Sequence, residues 1–147
     1  MKSLQIPVTE IMTRDLLIVE PADKLDKVRD IFMANKVHHV PVVDAQGILM
    51  GIISKSDFNR VSHILTILDA DTYQEYYDML YRSVTASEIM SKQVATISPN
   101  DPLSLVADMF MENLFHAVPV VDRGVLVGLV TTHDLIKFCC TTPGLLD

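Results

Sequence analysis

His38-His39-Val40-Pro41-Val42-Val43-Asp44 returns about 78 residues later as His116-Ala117-Val118-Pro119-Val120-Val121-Asp122. The short apolar run Val40–Val43 is rich in β-branched residues and reads as a strand. Pro41 has no N–H to donate, so it belongs at the start or edge of that strand. Asp44-Ala45-Gln46-Gly47 is a turn by composition, and Ile48 to Ile53 form the next strand. Gly51 within it marks a bulge or a close backbone approach.

The repetition extends both ways from this stretch. Upstream, Glu10-Ile11-Met12 recurs as Glu88-Ile89-Met90, and Pro21-Ala22-Asp23 as Pro99-Asn100-Asp101. Downstream, Gly51-Ile52-Ile53-Ser54-Lys55-Ser56-Asp57 recurs as Gly128-Leu129-Val130-Thr131-Thr132-His133-Asp134. The offset drops by one after Asp44, where Gln46 has no counterpart. The two copies cover residues 8–61 and 86–139. Each is short for an independent core, so the halves are expected to fold against each other. Asp23 is the expected N-cap of a helix whose stripe is Leu25, Val28 and Phe32; Leu103, Val106, Phe110 and Leu114 repeat that stripe. Each copy reads as helix, short strand, helix, strand, strand, helix, the last helix opening at Ser54–Asp57 or Thr131–Asp134. The domain division follows: 1–61, a helical linker at 62–85, and 86–147.

The linker helix, Asp71 to Arg82, holds all four tyrosines. Tyr73, Tyr77 and Tyr81 share one face, with Tyr76 beside them. That face either packs on the two repeats or forms an interface with a partner.

Composition narrows the function. With 147 residues, 49% of them apolar, the chain can build a core. No apolar run approaches the roughly 18 residues a membrane span needs, and the first residues lack the apolar stretch of a secretion signal. Cys139 and Cys140 are adjacent, a spacing that disfavours a disulfide, so free thiols and a cytoplasmic location are expected. A net charge of −7 argues against nucleic-acid binding. His38-His39 with Asp44 lacks the spacing of a metal site, so no metal is expected. There is no P-loop, dinucleotide fingerprint or nucleophile elbow. His133-Asp134 could be taken for a catalytic dyad, but its twin is Ser56-Asp57 and sequence neighbours seldom face each other. The two copies and the linker account for the chain, and the expectation is a binding protein rather than an enzyme.

The chemistry-bearing pattern is a hydroxyl followed three residues later by a carboxylate at a helix start: Ser54 with Asp57, and Thr131 with Asp134. This is a capping arrangement. It is also an anion site, because free N–H groups at a helix start point outward. A carboxylate beside them can accept both hydroxyls of a ribose diol.

The doubled pattern Ile-Met, His-x-Val-Pro-Val-Val-Asp, Gly-x-x-Ser/Thr-x-x-Asp resembles the CBS motif, named for cystathionine β-synthase, two copies of which form a Bateman module. The resemblance covers nearly all of the chain except 62–85 and the last residues. It implies an α/β (α+β) fold of two β-α-β-β-α copies about a pseudo-twofold axis, and clefts that in many relatives hold AMP, ADP, ATP or S-adenosylmethionine. It implies that Asp57 and Asp134 hold the ribose. Backbone near Val40, Pro41, Val118 and Pro119, with Ile18, Val19, Thr96 and Ile97 opposite, would meet the adenine. His39, Lys55 and His133 become candidate phosphate partners, with His38, His116, Arg14 and Lys92 as further cations; Ala117 in place of His39 makes the clefts unequal. No cofactor is required. The expected partners are an adenosine-containing small molecule, a second copy in a homodimer, and an unidentified regulated protein, with no nucleic acid and no membrane. The alternative is a ligand-free interaction scaffold of the same fold, favoured by the scarcity of arginine near the clefts, in which the tyrosine helix carries the function.

Overall fold

The structure is a computed structural model and describes residues 2–66, 73–113 and 115–145. Asp71 and Leu114, expected in helices, lie outside the described residues. The element order is a 3-10 turn at Lys2–Gln5, a second at Val8–Glu10, α1 (Leu25–Ala34), β1 (His39–Val43), β2 (Leu49–Ser54), α2 (Lys55–Thr66), α3 (Tyr73–Ser83), α4 (Ala86–Ile89), α5 (Leu103–Asn113), β3 (Ala117–Asp122), β4 (Val125–Thr131) and α6 (Thr132–Thr141). The expected short strand of each copy is a single parallel bridge, Val19 to Val42 in one and Ile97 to Val120 in the other.

Two compact units form, and they are not the two sequence copies. One unit is Leu17–Gln93; the other joins Met1–Leu16 to Val94–Asp147. Thus each unit takes the Ile-Met segment that precedes the other copy's strands.

In the Leu17–Gln93 unit, β1 and β2 pair antiparallel, with Val42 opposite Gly51 and Val43 opposite Leu49. The register shift leaves Met50 as the extra residue of a β-bulge. Ser91 joins the far edge of β2 through Ile52, with N···O distances of 3.1 and 2.9 Å. Gly51 is required by this join: a Cβ there would lie 2.6 Å from Met90 Sδ and 2.7 Å from the Ser91 carbonyl oxygen. The core holds Val19, Leu25, Val28, Phe32, Val40, Val42, Ile53, Phe58, Tyr81 and Ala86. Its α1 stripe is the one read from sequence, since Leu25, Val28 and Phe32 are all buried.

The cap of α1 differs from expectation. Lys24 occupies the N-cap position without a side-chain hydrogen bond. Asp23 Oδ2 instead accepts from Glu20 N–H and from Lys27 Nζ, both at 2.7 Å. The preceding turn competes for the carboxylate and wins, because Asp bonds readily to nearby backbone. Burial pushes the Asp23 pKa up, but the bonds from Lys27 and Glu20 outweigh it and hold it below the usual value. At α4, Thr85 and Glu88 form a capping box. The Thr85 backbone N–H and hydroxyl hold the Glu88 carboxyl below its usual range.

The other unit repeats this plan. β3 and β4 pair antiparallel, with Val120 opposite Gly128 and Val121 opposite Leu126, leaving Val127 as the bulged residue. Thr13 joins the edge of β4 at Leu129, with N···O distances of 2.9 and 3.0 Å. Met12 lies against Gly128 as Met90 lies against Gly51. Its core is Val8, Met12, Ile97, Leu103, Val106, Val118, Val120 and Val130. The one-residue difference at Gln46 is a change of turn. β3 and β4 meet at a two-residue loop, Arg123-Gly124, both with positive φ (52° and 84°), as a tight hairpin of right-handed strands requires. In the longer first-copy turn, Asp44 Oδ1 accepts from the N–H groups of Gln46 and Ile48, each at 2.9 Å, and Gly47 supplies the positive φ of 81°.

Candidate functional site

Each unit contains one strand-to-helix corner built from the same parts. In the Leu17–Gln93 unit, β2 ends at Ser54 and α2 begins at once with Lys55. The chain turns without a loop because Lys55 N–H donates to His38 C=O across β1 at 2.8 Å. Ser54 Oγ accepts from Asp57 N–H at 3.0 Å. Alongside, Val19 N–H donates to Pro41 C=O at 3.1 Å and Val43 N–H donates to Val19 C=O at 2.9 Å. Val19 and Val40 are buried, and the N–H and C=O of Val19 are both taken up by this bridge, while Lys55 and His39 are half-buried.

In the second unit, β4 ends at Thr131, α6 begins with Thr132, and Thr132 N–H donates to His116 C=O at 3.1 Å. Ile97 N–H donates to Pro119 C=O at 3.1 Å and Val121 N–H to Ile97 C=O at 2.8 Å. Ile97, Val118 and Pro119 are buried; Thr96 and His133 are exposed. Val19, Val40, Ser54, Lys55 and Asp57 thus lie in one unit, and Ile97, Val118, Pro119, Thr131 and Asp134 in the other.

The corners differ at the carboxylate. Asp134 Oδ2 accepts from Thr131 N–H and from Thr131 Oγ1–H, both at 2.9 Å, while Asp134 N–H donates to Thr131 Oγ1 at 3.2 Å. This is a complete capping box. Asp57 instead pairs with Arg60 Nη2 at 3.4 Å. Arg60 is a residue the sequence reading passed over; its spacing of three from Asp57 on a helix was the available signal. Arg14, a candidate cation, donates from Nη2 to Thr9 C=O at 3.2 Å, and Lys92 is exposed.

The tyrosine helix packs on one unit. Tyr77 and Tyr81 stack at 6.1 Å, Tyr81 lies 6.2 Å from Phe58, and the Arg29 guanidinium sits 4.8 Å over the Tyr81 ring. The Tyr81 hydroxyl meets Ser62 Oγ at 2.9 Å. Tyr76 faces solvent, 62% exposed. An open depression of about 470 Å³ runs along α3, lined by Glu75, Asp78, Met79, Arg82 and Ser83, and contains none of the expected ligand residues.

Among the described residues no three His, Cys, Asp or Glu side chains gather as a metal site, and no helix is long and apolar enough to cross a membrane. Cys139 is half-buried and Cys140 exposed, both as free thiols.

The CBS-domain family profile matches residues 8–64 and 86–140. The chain belongs to the CBS-domain family. Its CBS pair superposes on the CBS domain of a CBS domain-containing membrane protein from Sphaerobacter thermophilus with a TM-score of 0.77 and 33% identity, covering 92% of this chain and 90% of that one. It is 29% identical over 136 residues to MJ1225 of Methanocaldococcus jannaschii, covering 89% of this chain and 46% of the relative, so it spans less than half of that protein. It is also similar to the CBS-domain pair of protein MJ0100, whose structure was solved in complex with 5′-methylthioadenosine and S-adenosyl-L-methionine. That likeness has a TM-score of 0.72 and 25% identity, over 90% of this chain and 94% of that one. The α+β fold of a tandem CBS protein is thus shown by both sequence and structure.

Proposed function

We propose that this CBS pair is a non-catalytic regulatory module that binds an adenosine compound (AMP, ADP, ATP or S-adenosylmethionine) at its strand-to-helix corners. The observation that carries this reading is the corner itself, built twice. The positive end of a helix, a carboxylate three residues in and a neighbouring strand backbone together suit an adenosine. The helix start takes an anionic or polar tail, the carboxylate of Asp57 or Asp134 takes the ribose diol, and the backbone near Val19–Val40 or Ile97–Pro119 reads the adenine edge. MJ0100, a similar CBS pair, holds two adenosine compounds.

The ligand acts by favouring whichever arrangement of the protein binds it better, and only by the difference in affinity. A homodimer belongs to the same proposal. It is supported by Ile136 on α6, 62% exposed, and by Met111 on α5, 73% exposed. The regulated protein would meet the surface that the ligand changes. A cytoplasmic site of action fits the two free thiols. The scaffold alternative loses support, because Tyr77 and Tyr81 are engaged with the protein's own core.

Thermal unfolding with millimolar AMP, ADP, ATP, S-adenosylmethionine and GMP tests the reading. At 100 times its Kd a ligand stabilises by about 2.7 kcal/mol, which raises the midpoint by several degrees. A rise confined to one or more adenosine compounds is expected. Equal midpoints throughout, or a rise with GMP alone, would refute it.

A further inference from the structure

We infer that the two corners bind unequally, and that the adenosine ligand fills the Leu17–Gln93 unit first, with Asp57 as its ribose acceptor. This rests on the adenosine reading above and adds which copy is used.

The difference lies in what each carboxylate already does. A ribose diol offers two O–H donors, and its best acceptor is a carboxylate with both oxygens open. Asp134 Oδ2 is taken twice over, by the N–H and the hydroxyl of Thr131. A diol arriving there competes with both bonds, and displacing them leaves the Thr131 N–H at a helix start without its acceptor. The β-branched Thr131 has few χ1 choices, which keeps Oγ1 where Asp134 holds it.

Asp57 carries no such commitment. Its N–H serves Ser54 Oγ, so the cap of α2 is made by backbone and hydroxyl, without the carboxylate. The carboxylate's partner is Arg60 at 3.4 Å, and the Arg60 side chain is 74% exposed. An ion pair that open to water contributes little and gives way to a ligand by rotation of one long side chain. Lys55 adds to the bias. It stands half-buried at the first position of α2, where its twin is the uncharged Thr132, so an anionic tail on the ligand finds a cation in this unit. Two independent features, an open acceptor and a cation at the helix start, thus fall on the same copy.

Calorimetric titration of the full chain with AMP and, separately, with S-adenosylmethionine tests this. The expected isotherm has one tight site per chain, with any second site roughly tenfold or more weaker, the ratio that one or two charge-assisted hydrogen bonds produce. Asp57→Ala should abolish the tight phase. Asp57→Asn keeps the side-chain volume and the N–H bond to Ser54, so loss of the tight phase there, with an unchanged melting curve, reads as lost ligand contact rather than lost fold. Two equal sites in the wild type, a folded Asp57→Asn with wild-type affinity, or a tight phase removed by Asp134→Ala and kept by Asp57→Ala would each overturn the inference while leaving the adenosine reading intact. No heat with either compound, and no thermal shift with any adenosine compound, would overturn both.

Discussion

Deleting residues 1–16 is expected to unfold the unit built on Val94–Asp147 while leaving Leu17–Gln93 folded. The deleted segment carries Val8 and Met12, both buried in the core with Leu103, Val106 and Val130. It also takes part in four backbone bonds to that unit: Val8 N–H to Asp101 C=O at 2.9 Å, Leu103 N–H to Ile6 C=O at 3.0 Å, and the pair between Thr13 and Leu129 at 2.9 and 3.0 Å. Burying such a side chain is worth about 1.5–3 kcal/mol, and each bond contributes about 0.5–1.5 kcal/mol. The loss is therefore of the same order as the whole stability of a small domain, about 5–15 kcal/mol. Among the described residues, the core of the Leu17–Gln93 unit is built from residues 19–90. Amide hydrogen exchange reads the two outcomes separately. Protection at Val120 and Val130 should collapse and that at Val42 and Ile53 should persist. Retained protection at Val130 would contradict the account, as would equal loss in both units.

Gly51→Ala should destabilise the Leu17–Gln93 unit by about 1–3 kcal/mol, the usual cost of forcing an extra methyl into a packed site. The new Cβ would meet the Ser91 carbonyl oxygen at 2.7 Å as well as Met90 Sδ at 2.6 Å. The methionine can move aside; the carbonyl is fixed, because it accepts the Ile52 N–H at 3.1 Å. Gly128→Ala provides the comparison. There the tight contacts are with Met12, Sδ at 2.5 Å and Cγ at 2.9 Å, and the nearest backbone atom, Thr13 O, is at 3.2 Å. The second substitution should therefore cost less. Denaturant midpoints of both variants check the order, and an equal or reversed order would show that the edge join at Ser91 is softer than its geometry implies.

The element order was legible because each copy repeats it, so that a weak signal such as the Val19 bridge gained force from its twin at Ile97. The assignment of segments to units was not legible, for the same reason. Met12 and Met90 sit in near-identical contexts, Glu-Ile-Met in both, and nothing local distinguishes packing on Gly51 from packing on Gly128. Asp23 was misread as a cap because a helix start and the turn before it call for the same residue type, and only the backbone decides which N–H groups it reaches. The paired hydroxyl and carboxylate of the corners could be read from spacing alone. Their inequality could not, since it depends on the carboxylate rotamer: Asp134 turned back to Thr131, Asp57 turned toward Arg60.

The most direct measurement is an amide NMR titration of the protein with S-adenosylmethionine and with AMP. The account predicts that the amides of Ser54 to Asp57 shift first, together with those of Val19, Val40, Val42 and Val43, and that the Thr131 to Asp134 amides follow only at higher ligand concentration. Spectra that stay unchanged up to millimolar ligand, or shifts confined to α3, would contradict it.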